Sequence, residues 1–363
     1  MSAESGKDVP ACALDENVLI NSTTVIYGSP NTGKSVAILD MLYKIKDQVP
    51  SIIVVSPTND SNKAYSNIVP NQLIHKNISC GDTSKKGKYK LLTMIIERQK
   101  YMSELLTMTK DAKILYSLFK LMSPKNKTLC QKCIDKVNTT VEECKSEINK
   151  QYKASEQELE LEKLKDQATQ KIVEIFKCFV KKDRDYLWEL ELDEKQRLVV
   201  NYIDINPKMV LVLDDCAAEL KPAFKIEEFR EIFYNHRHIN ITMIISCQDD
   251  TDLPANLRKT ARISVFTESS VFSTYIERGG KFNKEHKIYA RAASDQIFKE
   301  KYRKLVLARG GSNPRDIYHY TFELRKSFKY CPDIILELCD AVKNTTDLKL
   351  DSSSQFHKNF KLN

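Results

Sequence analysis

Gly28-Ser29-Pro30-Asn31-Thr32-Gly33-Lys34-Ser35 is the stretch that decides the fold. It fits the pattern G-x-x-x-x-G-K-[ST], in which glycines let successive backbone N–H groups turn toward a bound polyphosphate. A β-branched run at residues 23–27 precedes it, and a helical pattern with apolar residues on one face follows it. This context argues against a chance glycine turn. It predicts that the eight residues Gly28 to Ser35 bind ATP, with Lys34 on the β- and γ-phosphates and Ser35 on Mg²⁺.

Length and composition place the chain among large globular proteins. Its 363 residues, 42% of them hydrophobic, are enough for one large domain or two smaller ones. No apolar run approaches the roughly 18 residues that a membrane helix needs. The N-terminus, residues 1–15, lacks the apolar centre of a signal peptide. We therefore expect a protein without a membrane span, located inside the cell, with a flexible N-terminus over residues 1–18.

The net charge of +8 is unevenly distributed along the chain. Residues 83–136 carry thirteen lysines and arginines against four acids, and residues 281–309 carry nine against three. Patches of this kind suit a polyanion such as nucleic acid, although a solvated lysine-rich surface has the same composition. Charge alone leaves both interpretations open.

The ten cysteines fit a reducing compartment. Cys216 and Cys247 fall in or next to apolar runs, where free thiols behave as small hydrophobic side chains. Cys130 and Cys133, with Cys144 and Cys178 further on, offer thiolates for zinc, but a second close pair is missing. Thiols scattered over helices are the favoured interpretation.

A helical insertion separates two parts of the predicted α/β domain. Residues 51–56 form a short apolar run that ends at Pro57, which predicts a buried parallel strand after a helical crossover. From residue 83 to residue 201 glycine nearly vanishes, and the pattern becomes that of long amphipathic helices. We expect an antiparallel pair of helices there, with a break at residues 123–126.

The sheet resumes after the insertion. Buried strands are predicted at 209–213, 241–246 and 263–266, a helix at 226–234, and a hairpin at 303–308 and 316–322 that is joined through Gly310-Gly311. The predicted fold is a three-layer α/β domain with a mainly parallel sheet, at residues 19–82 and 202–343. Residues 344–363 are expected to form a flexible tail.

Two adjacent acids, Asp214 and Asp215, end the first strand after the insertion. In an open parallel sheet, ligands bind at the carboxyl ends of the strands, which places both acids beside the phosphate loop. Asp214 has the position of an acid that holds Mg²⁺, with an N-cap of the next helix as its alternative role. Asp215 would orient and polarise a water molecule for attack on the γ-phosphate, unless it too only caps the helix.

Gln248 and three arginines complete the candidate site. Gln248 follows the strand at 241–246, where an amide can contact the γ-phosphate or the attacking water. Arg237, Arg258 and Arg262 are candidates for an arginine that reaches the γ-phosphate of a neighbouring subunit in a ring. Each of them has a surface ion pair as its alternative role, and the sequence does not choose among them.

The order of these motifs resembles that of the poxvirus-type DNA-packaging ATPases of nucleocytoplasmic large DNA viruses, a branch of the FtsK–HerA superfamily of P-loop NTPases. The resemblance covers roughly residues 20–80 and 205–325. Its most specific part is Arg237-His238-Ile239-Asn240-Ile241-Thr242 followed by Gln248, because the phosphate loop alone is common to many families. Other matching runs are Val54-Val55-Ser56-Pro57-Thr58-Asn59, Leu213-Asp214-Asp215-Cys216, Leu253-Pro254 and Arg258.

The resemblance implies a RecA-like core with strand order 5-1-4-3-2, a homo-oligomeric ring, and ATP- and Mg²⁺-dependent translocation of double-stranded DNA into a capsid. It implies the same residue roles as above, with Gln248 as the sensor of the bound nucleotide. Capsid or other virion assembly proteins are the implied partners, and the host cytoplasm or the virion is the implied location.

Two features depart from the family pattern. Asp215 stands where the superfamily usually has Glu, and the insertion at 83–201 has no counterpart. Two alternatives of other classes therefore stay open. One is a nucleoside or nucleotide kinase, and the other is a nucleotide-gated scaffold without turnover.

Overall fold

The computed structural model describes residues 9–78, 90–152, 154–278, 282–308, 316–325 and 327–347. Its contacts divide the chain into an α/β unit, Met1–Ile96 with Lys208–Asn363, and a helical unit, Glu97–Pro207. Among the described residues, no helix combines the length and the apolar character needed to cross a bilayer.

The secondary structure of the described residues alternates between strands and helices outside the helical unit. The helices are α1 (Glu16–Leu19), α2 (Lys34–Ile45), α3 (Asn59–Asn62), α4 (Lys90–Met108), α5 (Ala112–Leu121), α6 (Pro124–Gln151), α7 (Ala154–Lys182), α8 (Arg184–Trp188), α9 (Glu194–Tyr202), α10 (Ala217–Ala223), α11 (Glu227–Asn235), α12 (Ala255–Thr260), α13 (Ser269–Arg278), α14 (Lys284–Lys299) and α15 (Asp333–Asp347). The strands are β1 (Thr23–Tyr27), β2 (Ser51–Val55), β3 (Ile74–His75), β4 (Met209–Leu213), β5 (Ile241–Cys247), β6 (Ile263–Phe266), β7 (Arg303–Ala308) and β8 (Ile317–Thr321).

These strands form one sheet with the order β3-β2-β4-β5-β1-β6-β7-β8. Strands β1 to β6 pair in parallel, and β7 and β8 add the predicted antiparallel hairpin beside β6. With the five predicted core strands counted along the chain, the order is 5-1-4-3-2, so the predicted α/β fold is confirmed. The two-residue strand β3 was not predicted, because it is too short to show a pattern.

Alternating side chains of the sheet enter two apolar cores, one on each face. In β1, Val25 and Tyr27 belong to the core that includes Phe229 of α11, whereas Ile26 belongs to the core that includes Ile38 of α2. Every residue of β1 and of β4 is buried, as expected for strands that helices cover on both faces. The sheet and its two helical layers make the predicted three-layer arrangement.

Both ends of the α/β unit carry more structure than the sequence indicated. The segment to residue 18 was expected to be flexible, but Val9 and Leu14 are buried in the cores, Ala11 bridges to His319 of β8, and α1 begins within it. The few apolar side chains of this segment are buried because its backbone pairs with β8, the outer strand of the hairpin. Helix α15 continues to Asp347, past the start of the predicted tail. Residues 1–8 and 348–363 lie outside the described residues, as do Gly310 and Gly311.

The helical unit has its own core, in which Phe119 of α5 packs on Phe176 of α7 with ring centroids 5.5 Å apart. Helices α6 and α7 pack against each other as the predicted antiparallel pair. The predicted position of the break between them is wrong. Pro124 in the first turn starts α6, a position that suits proline, and the pair is divided instead after Gln151, where α6 ends.

Cys130 lies in this apolar core beside Cys133 and Cys178. Burial, together with the smaller effects of the two neighbouring cysteines, raises the pKa of the Cys130 thiol to about 11. The thiol therefore stays protonated and acts as an apolar side chain. In the described part of the chain, no group of three His, Cys, Asp or Glu side chains is arranged to hold a metal ion.

Candidate nucleotide-binding and hydrolysis site

The carboxyl ends of the parallel strands meet at one edge of the sheet, and most of the predicted site residues gather there. The phosphate loop follows β1, the paired acids follow β4, and Gln248 follows β5. The Gly28 N–H donates a hydrogen bond of 3.1 Å to the carbonyl of Cys247, which ties the loop to the end of β5. We call this region the loop edge.

Two residues with positive φ and a buried lysine set the conformation of the phosphate loop. Gly33, immediately before α2, has a φ of +99°, which side chains rarely tolerate, and Asn31 has a φ of +65°. Lys34 is only 6% exposed, and its ammonium donates to the carbonyls of Gly28 at 2.8 Å and Ser29 at 3.2 Å. The lysine is thus folded back over the loop whose N–H groups would bind phosphate.

Gly28 is required because another residue approaches it closely. A Cβ atom at this position would lie 1.7 Å from Thr267 Oγ1 and 2.7 Å from Thr32 Oγ1. These two hydroxyls are hydrogen-bonded to each other at 2.6 Å, and the Thr32 hydroxyl also lies 2.8 Å from the carbonyl of Ser29. Thr267, the first residue after β6, therefore closes the first turn of the loop from outside.

Glu268 and Lys304 also hold the loop, and sequence analysis missed both. One carboxylate oxygen of Glu268 accepts hydrogen bonds from the Ser29 N–H, at 2.8 Å, and from the Ser29 hydroxyl. The Lys304 ammonium donates to the carbonyls of Thr32 at 2.9 Å and Thr267 at 3.1 Å. Burial lowers the pKa of Lys304, and the charge of Glu268 acts in the opposite direction. Two side chains from later in the sequence thus brace the loop.

Asp214 is buried, and each of its carboxylate oxygens accepts a hydroxyl. Ser246 of β5 donates to Oδ1, and Tyr65 donates to Oδ2 at 2.9 Å. Burial raises the pKa of Asp214 above its ordinary value, while both hydrogen bonds favour the ionised form. Burial also raises the pKa of Tyr65 well above its ordinary value, so its hydroxyl remains a donor. The two hydroxyls fix the orientation of this carboxylate.

Asp215 has a left-handed backbone conformation, with a φ of +53°. Such a conformation costs a residue other than glycine about 1 kcal/mol or more, and it is concentrated at functional sites. Oδ1 of Asp215 lies 3.9 Å from the Lys34 ammonium and accepts no hydrogen bond from the described residues. The Asp215 N–H lies 3.2 Å from Ser246 Oγ, so a single serine contacts both acids.

Gln248 has an exposed side chain at the loop edge, and its N–H donates to Asp252 at 3.2 Å. Arg258, in contrast, is engaged within its own chain. Its guanidinium donates to the buried carboxylate of Asp250, which also accepts a hydrogen bond of 2.7 Å from Arg278.

Arg237 and Arg262 lie at the opposite end of the parallel strands, where the strands begin. They precede β5 and β6, respectively, and the carboxyl ends of these strands belong to the loop edge. The seven residues of β5 span about 20 Å at about 3.3 Å per residue. Both arginines are exposed, and neither contributes to the loop edge of its own chain.

Strand register places several of the residues that sequence analysis missed. Ser246 lies beside Asp214 because β4 and β5 pair in parallel, and the two apolar runs could have indicated this neighbour. Lys304 lies beside Thr267 because β7 pairs antiparallel with β6, and nothing in the sequence specifies that pairing. Tyr65 lies in a loop ten residues after β2 and carries no motif signal.

The side chains at the loop edge fit a nucleoside triphosphate with Mg²⁺. The loop offers N–H groups and the ammonium of Lys34 to phosphate oxygens. Ser35, in the first turn of α2, and Asp214 offer the hydroxyl and carboxylate oxygens that Mg²⁺ prefers. The unsatisfied oxygen of Asp215, beside Lys34, is positioned to accept a hydrogen bond from a water molecule.

Among known proteins, the uncharacterized protein B354L of African swine fever virus (isolate Warthog/Namibia/Wart80/1980) is 34% identical over 372 aligned residues. The alignment covers 100% of this chain and 99% of that protein. The chain belongs to the B354L family. No family model matches this B354L-type sequence.

Two solved structures show a loose likeness to this B354L-type chain. The genome packaging NTPase B204 from Sulfolobus turreted icosahedral virus 2, in complex with ATP-gammaS, has a TM-score of 0.36 and 14% identity, and covers 83% of this chain and 98% of its own. The plasmid coupling protein TrwB, in complex with ADP and Mg²⁺, has a TM-score of 0.37 and 11% identity, and covers 92% and 93%. TM-scores this low do not assign the chain to the family of either protein.

The family assignment rests on the molecule itself and on its full-length viral relative. The strand order, the phosphate loop after β1 and the paired acids after β4 are those that the resemblance to FtsK–HerA-type P-loop ATPases requires. The fold that this resemblance implies is therefore present, and the viral relative places the chain in the B354L family.

Proposed function

We propose that this B354L-type protein is an ATP-hydrolysing motor that translocates double-stranded DNA and packages a viral genome into a capsid. The convergence of Lys34, Asp214 and Asp215 at the loop edge carries the proposal, with 3.9 Å between Lys34 and Asp215. The order of the motifs favours translocation of DNA, and the relative from a DNA virus favours a viral setting.

Each residue at the loop edge has one task in this proposal. The loop N–H groups and Lys34 bind the β- and γ-phosphates, and Ser35 and Asp214 hold Mg²⁺. Bound Mg·ATP supplies the phosphoryl group and the divalent charge. Asp215 orients the attacking water, and Gln248 contacts the γ-phosphate.

Asp215 favours hydrolysis over phosphoryl transfer to a second substrate. A kinase-type site needs no second acid beside the metal ligand, because its nucleophile is a substrate hydroxyl. The left-handed backbone at Asp215 brings its short side chain close to Lys34.

A homo-oligomeric ring would bring an arginine of a neighbouring subunit to the loop edge. Arg237 and Arg262 lie at the far edge of the sheet in their own chain, so a neighbouring subunit would have to present them. Arg258 would first have to leave Asp250. The ring would contact the DNA backbone without sequence preference and would dock on capsid or other virion assembly proteins, in the host cytoplasm or the virion.

Steady-state ATP hydrolysis, with and without double-stranded DNA, tests the proposal. We expect DNA to stimulate turnover of the full-length protein, and Lys34→Ala to abolish both turnover and nucleotide binding. Lys46→Ala is the matched control, because Lys46 follows the last residue of the same helix and pairs with the exposed Asp47 at 2.7 Å. The control should retain DNA-stimulated turnover.

The same assay separates the alternatives. Turnover that requires a small acceptor molecule would identify a nucleoside or nucleotide kinase. ATP binding that is lost in Lys34→Ala, without hydrolysis by the unchanged protein, would identify a scaffold. Either result would contradict the motor.

A further inference from the structure

Basic side chains follow one another along the C-terminal end of α7 and into α8. Lys177 and Lys181 are four residues apart, a spacing that keeps them on one side of α7, and Arg184 is the first residue of α8. Lys181 and Arg184 share one acid, Asp204, at 3.1 Å and 3.0 Å. The Lys181 and Asp204 side chains are 61% and 46% exposed, so this group is open to solvent.

Lys110 adds a fourth cation from the turn between α4 and α5. Burial lowers the pKa of Lys177, the charge of Lys110 lowers it further, and the charge of Asp204 raises it. Lys110 is thus within electrostatic range of Lys177. We call Lys110, Lys177, Lys181 and Arg184 the basic row.

Two of the neighbouring acids in the helical unit are engaged elsewhere. Asp183 is buried and accepts hydrogen bonds from Ser123 and Asn126. Glu174 pairs with Lys171 at 3.3 Å. Within the described residues, the ion pairs of the basic row involve Asp204 alone. Positive charge therefore exceeds negative charge at this place.

Other lysines of the helical pair differ from the basic row. Lys145 pairs with Glu142, Lys163 with Glu160 and Lys171 with Glu174, each three residues apart on the same helix. One acid for each lysine leaves these surfaces nearly neutral. These three lysines therefore add no excess charge at their own positions.

We propose that the basic row binds the phosphate backbone of double-stranded DNA. The inference rests on the proposed function, because a DNA motor needs contacts that do not depend on sequence. At about 1.5 Å per residue, Lys177 and Lys181 are about 6 Å apart along the axis of α7. One strand of a duplex presents a phosphate about every 3.4 Å along its axis, so these two lysines match about two phosphates, and Arg184 extends the contact from α8. Asp204 opposes this binding.

The experiment measures the affinity of the full-length protein for a short labelled duplex, by fluorescence anisotropy over a series of salt concentrations and without nucleotide. The variant K177Q/K181Q/R184Q should lose about tenfold or more in affinity, and its plot of log affinity against log salt should flatten by up to about 0.9 for each lost contact. The matched control K145Q/K163Q/K171Q removes the same charge from the same helical pair and should bind like the unchanged protein. Circular dichroism checks that both variants fold.

Asp204→Asn gives the opposite sign. Removing the one acid of the basic row should increase affinity for the duplex several-fold, an effect that a merely destabilising substitution would not produce. Trp188, the only tryptophan of the chain and 45% exposed in α8, gives an independent signal, because DNA on the basic row should change its fluorescence.

Three outcomes would overturn the inference. If the triple variant binds the duplex as tightly as the control while the unchanged protein binds it, the basic row is not the contact and the proposed function stands. Weaker binding of the duplex by Asp204→Asn would also exclude the basic row as the DNA contact. If the unchanged protein binds no duplex at all, the proposed function fails together with the inference.

Discussion

The loop edge of the α/β unit and the surface of the helical unit use polar side chains in opposite ways. At the loop edge, the buried Asp214 accepts hydroxyls from Ser246 and Tyr65. On the helical surface, Lys145 and Glu142 form an exposed pair three residues apart. The loss of a buried partner leaves an unsatisfied group, whereas an exposed pair exchanges its partner for water.

This difference separates two kinds of substitution. Changes at the loop edge should alter nucleotide binding or turnover, because the side chains there are held in the positions that the proposed hydrolysis requires. Changes in the helical unit should alter the stability of that unit or its charge, since its polar groups are mostly exposed. If a substitution in one region changed the property assigned to the other, the two regions would be coupled.

The largest effect is expected at Asp215. Asp215→Asn keeps the size of the side chain but removes the base that would orient water, so turnover should fall by about 100-fold or more while ATP binds with similar affinity. Rapid-quench hydrolysis and calorimetric binding of a non-hydrolysable analogue measure the two properties. The control is Asp60→Asn, an exposed acid that pairs with Lys76 in the same unit. Unchanged turnover in Asp215→Asn would remove this residue from the catalytic assignment.

Phe176→Ala tests the helical unit, where a core substitution should change stability and leave the loop edge intact. Phe176 is 6% exposed and packs on Phe119, so its truncation should destabilise the helical unit by about 3–5 kcal/mol. Urea unfolding followed by circular dichroism measures this loss, and ATP binding should persist. Tyr116→Ala, at a ring that is 50% exposed beside Phe176, is the milder control. Loss of ATP binding in Phe176→Ala would couple the two regions.

Glu268 allows a test with two signs at the loop edge. Glu268→Gln retains an oxygen for the Ser29 N–H but removes a negative charge beside the phosphate loop, so ATP should bind several-fold more tightly. Glu268→Ala removes the brace and leaves the Ser29 N–H without its acceptor, so ATP should bind several-fold more weakly. Calorimetric titration with a non-hydrolysable analogue compares both. Equal affinities would mean that Glu268 neither braces the loop nor repels phosphate.

The sequence was sufficient for features that depend on neighbours along the chain. The bounds of β1 and β4 agree with the predictions, because each strand is an apolar run between turn residues. The phosphate loop and the two acids follow from the same runs. Glu268 reaches the loop because β6 pairs in parallel with β1, and Lys304 reaches it because β7 pairs antiparallel with β6; both were missed because neither pairing has a local pattern. Tyr65 was missed because its place depends on a bond of its N–H to Asn59.

The arginines show a second limit of sequence reasoning. Arg237 and Arg258 carry the same chemistry, yet one is exposed at the far edge of the sheet and the other is paired with Asp250. Composition and spacing did not distinguish these surroundings, since burial and choice of partner are properties of the folded chain. The positions of the motifs were predictable, and the engagement of their side chains was not.

The smallest effect is expected at Glu142 on the helical surface. Its side chain is 70% exposed and lies 2.7 Å from Lys145, and exposed pairs of this kind contribute about 0.5 kcal/mol or less. Glu142→Gln should therefore leave the urea midpoint nearly unchanged at both low and high salt. Asp183→Asn, in the same unit, is the informative partner. Its buried carboxylate accepts the Ser123 N–H at 2.7 Å and the Asn126 amide at 2.6 Å, and the new NH₂ group would face one of these donors.

We expect Asp183→Asn to cost about 1–3 kcal/mol of unfolding free energy, several times the effect of Glu142→Gln. The two acids belong to the same helical unit and differ in burial. A large loss at Asp183 with none at Glu142 would show that burial, and not membership of a unit, decides what a polar group contributes. Equal effects would remove the physical basis of the contrast between the loop edge and the helical surface.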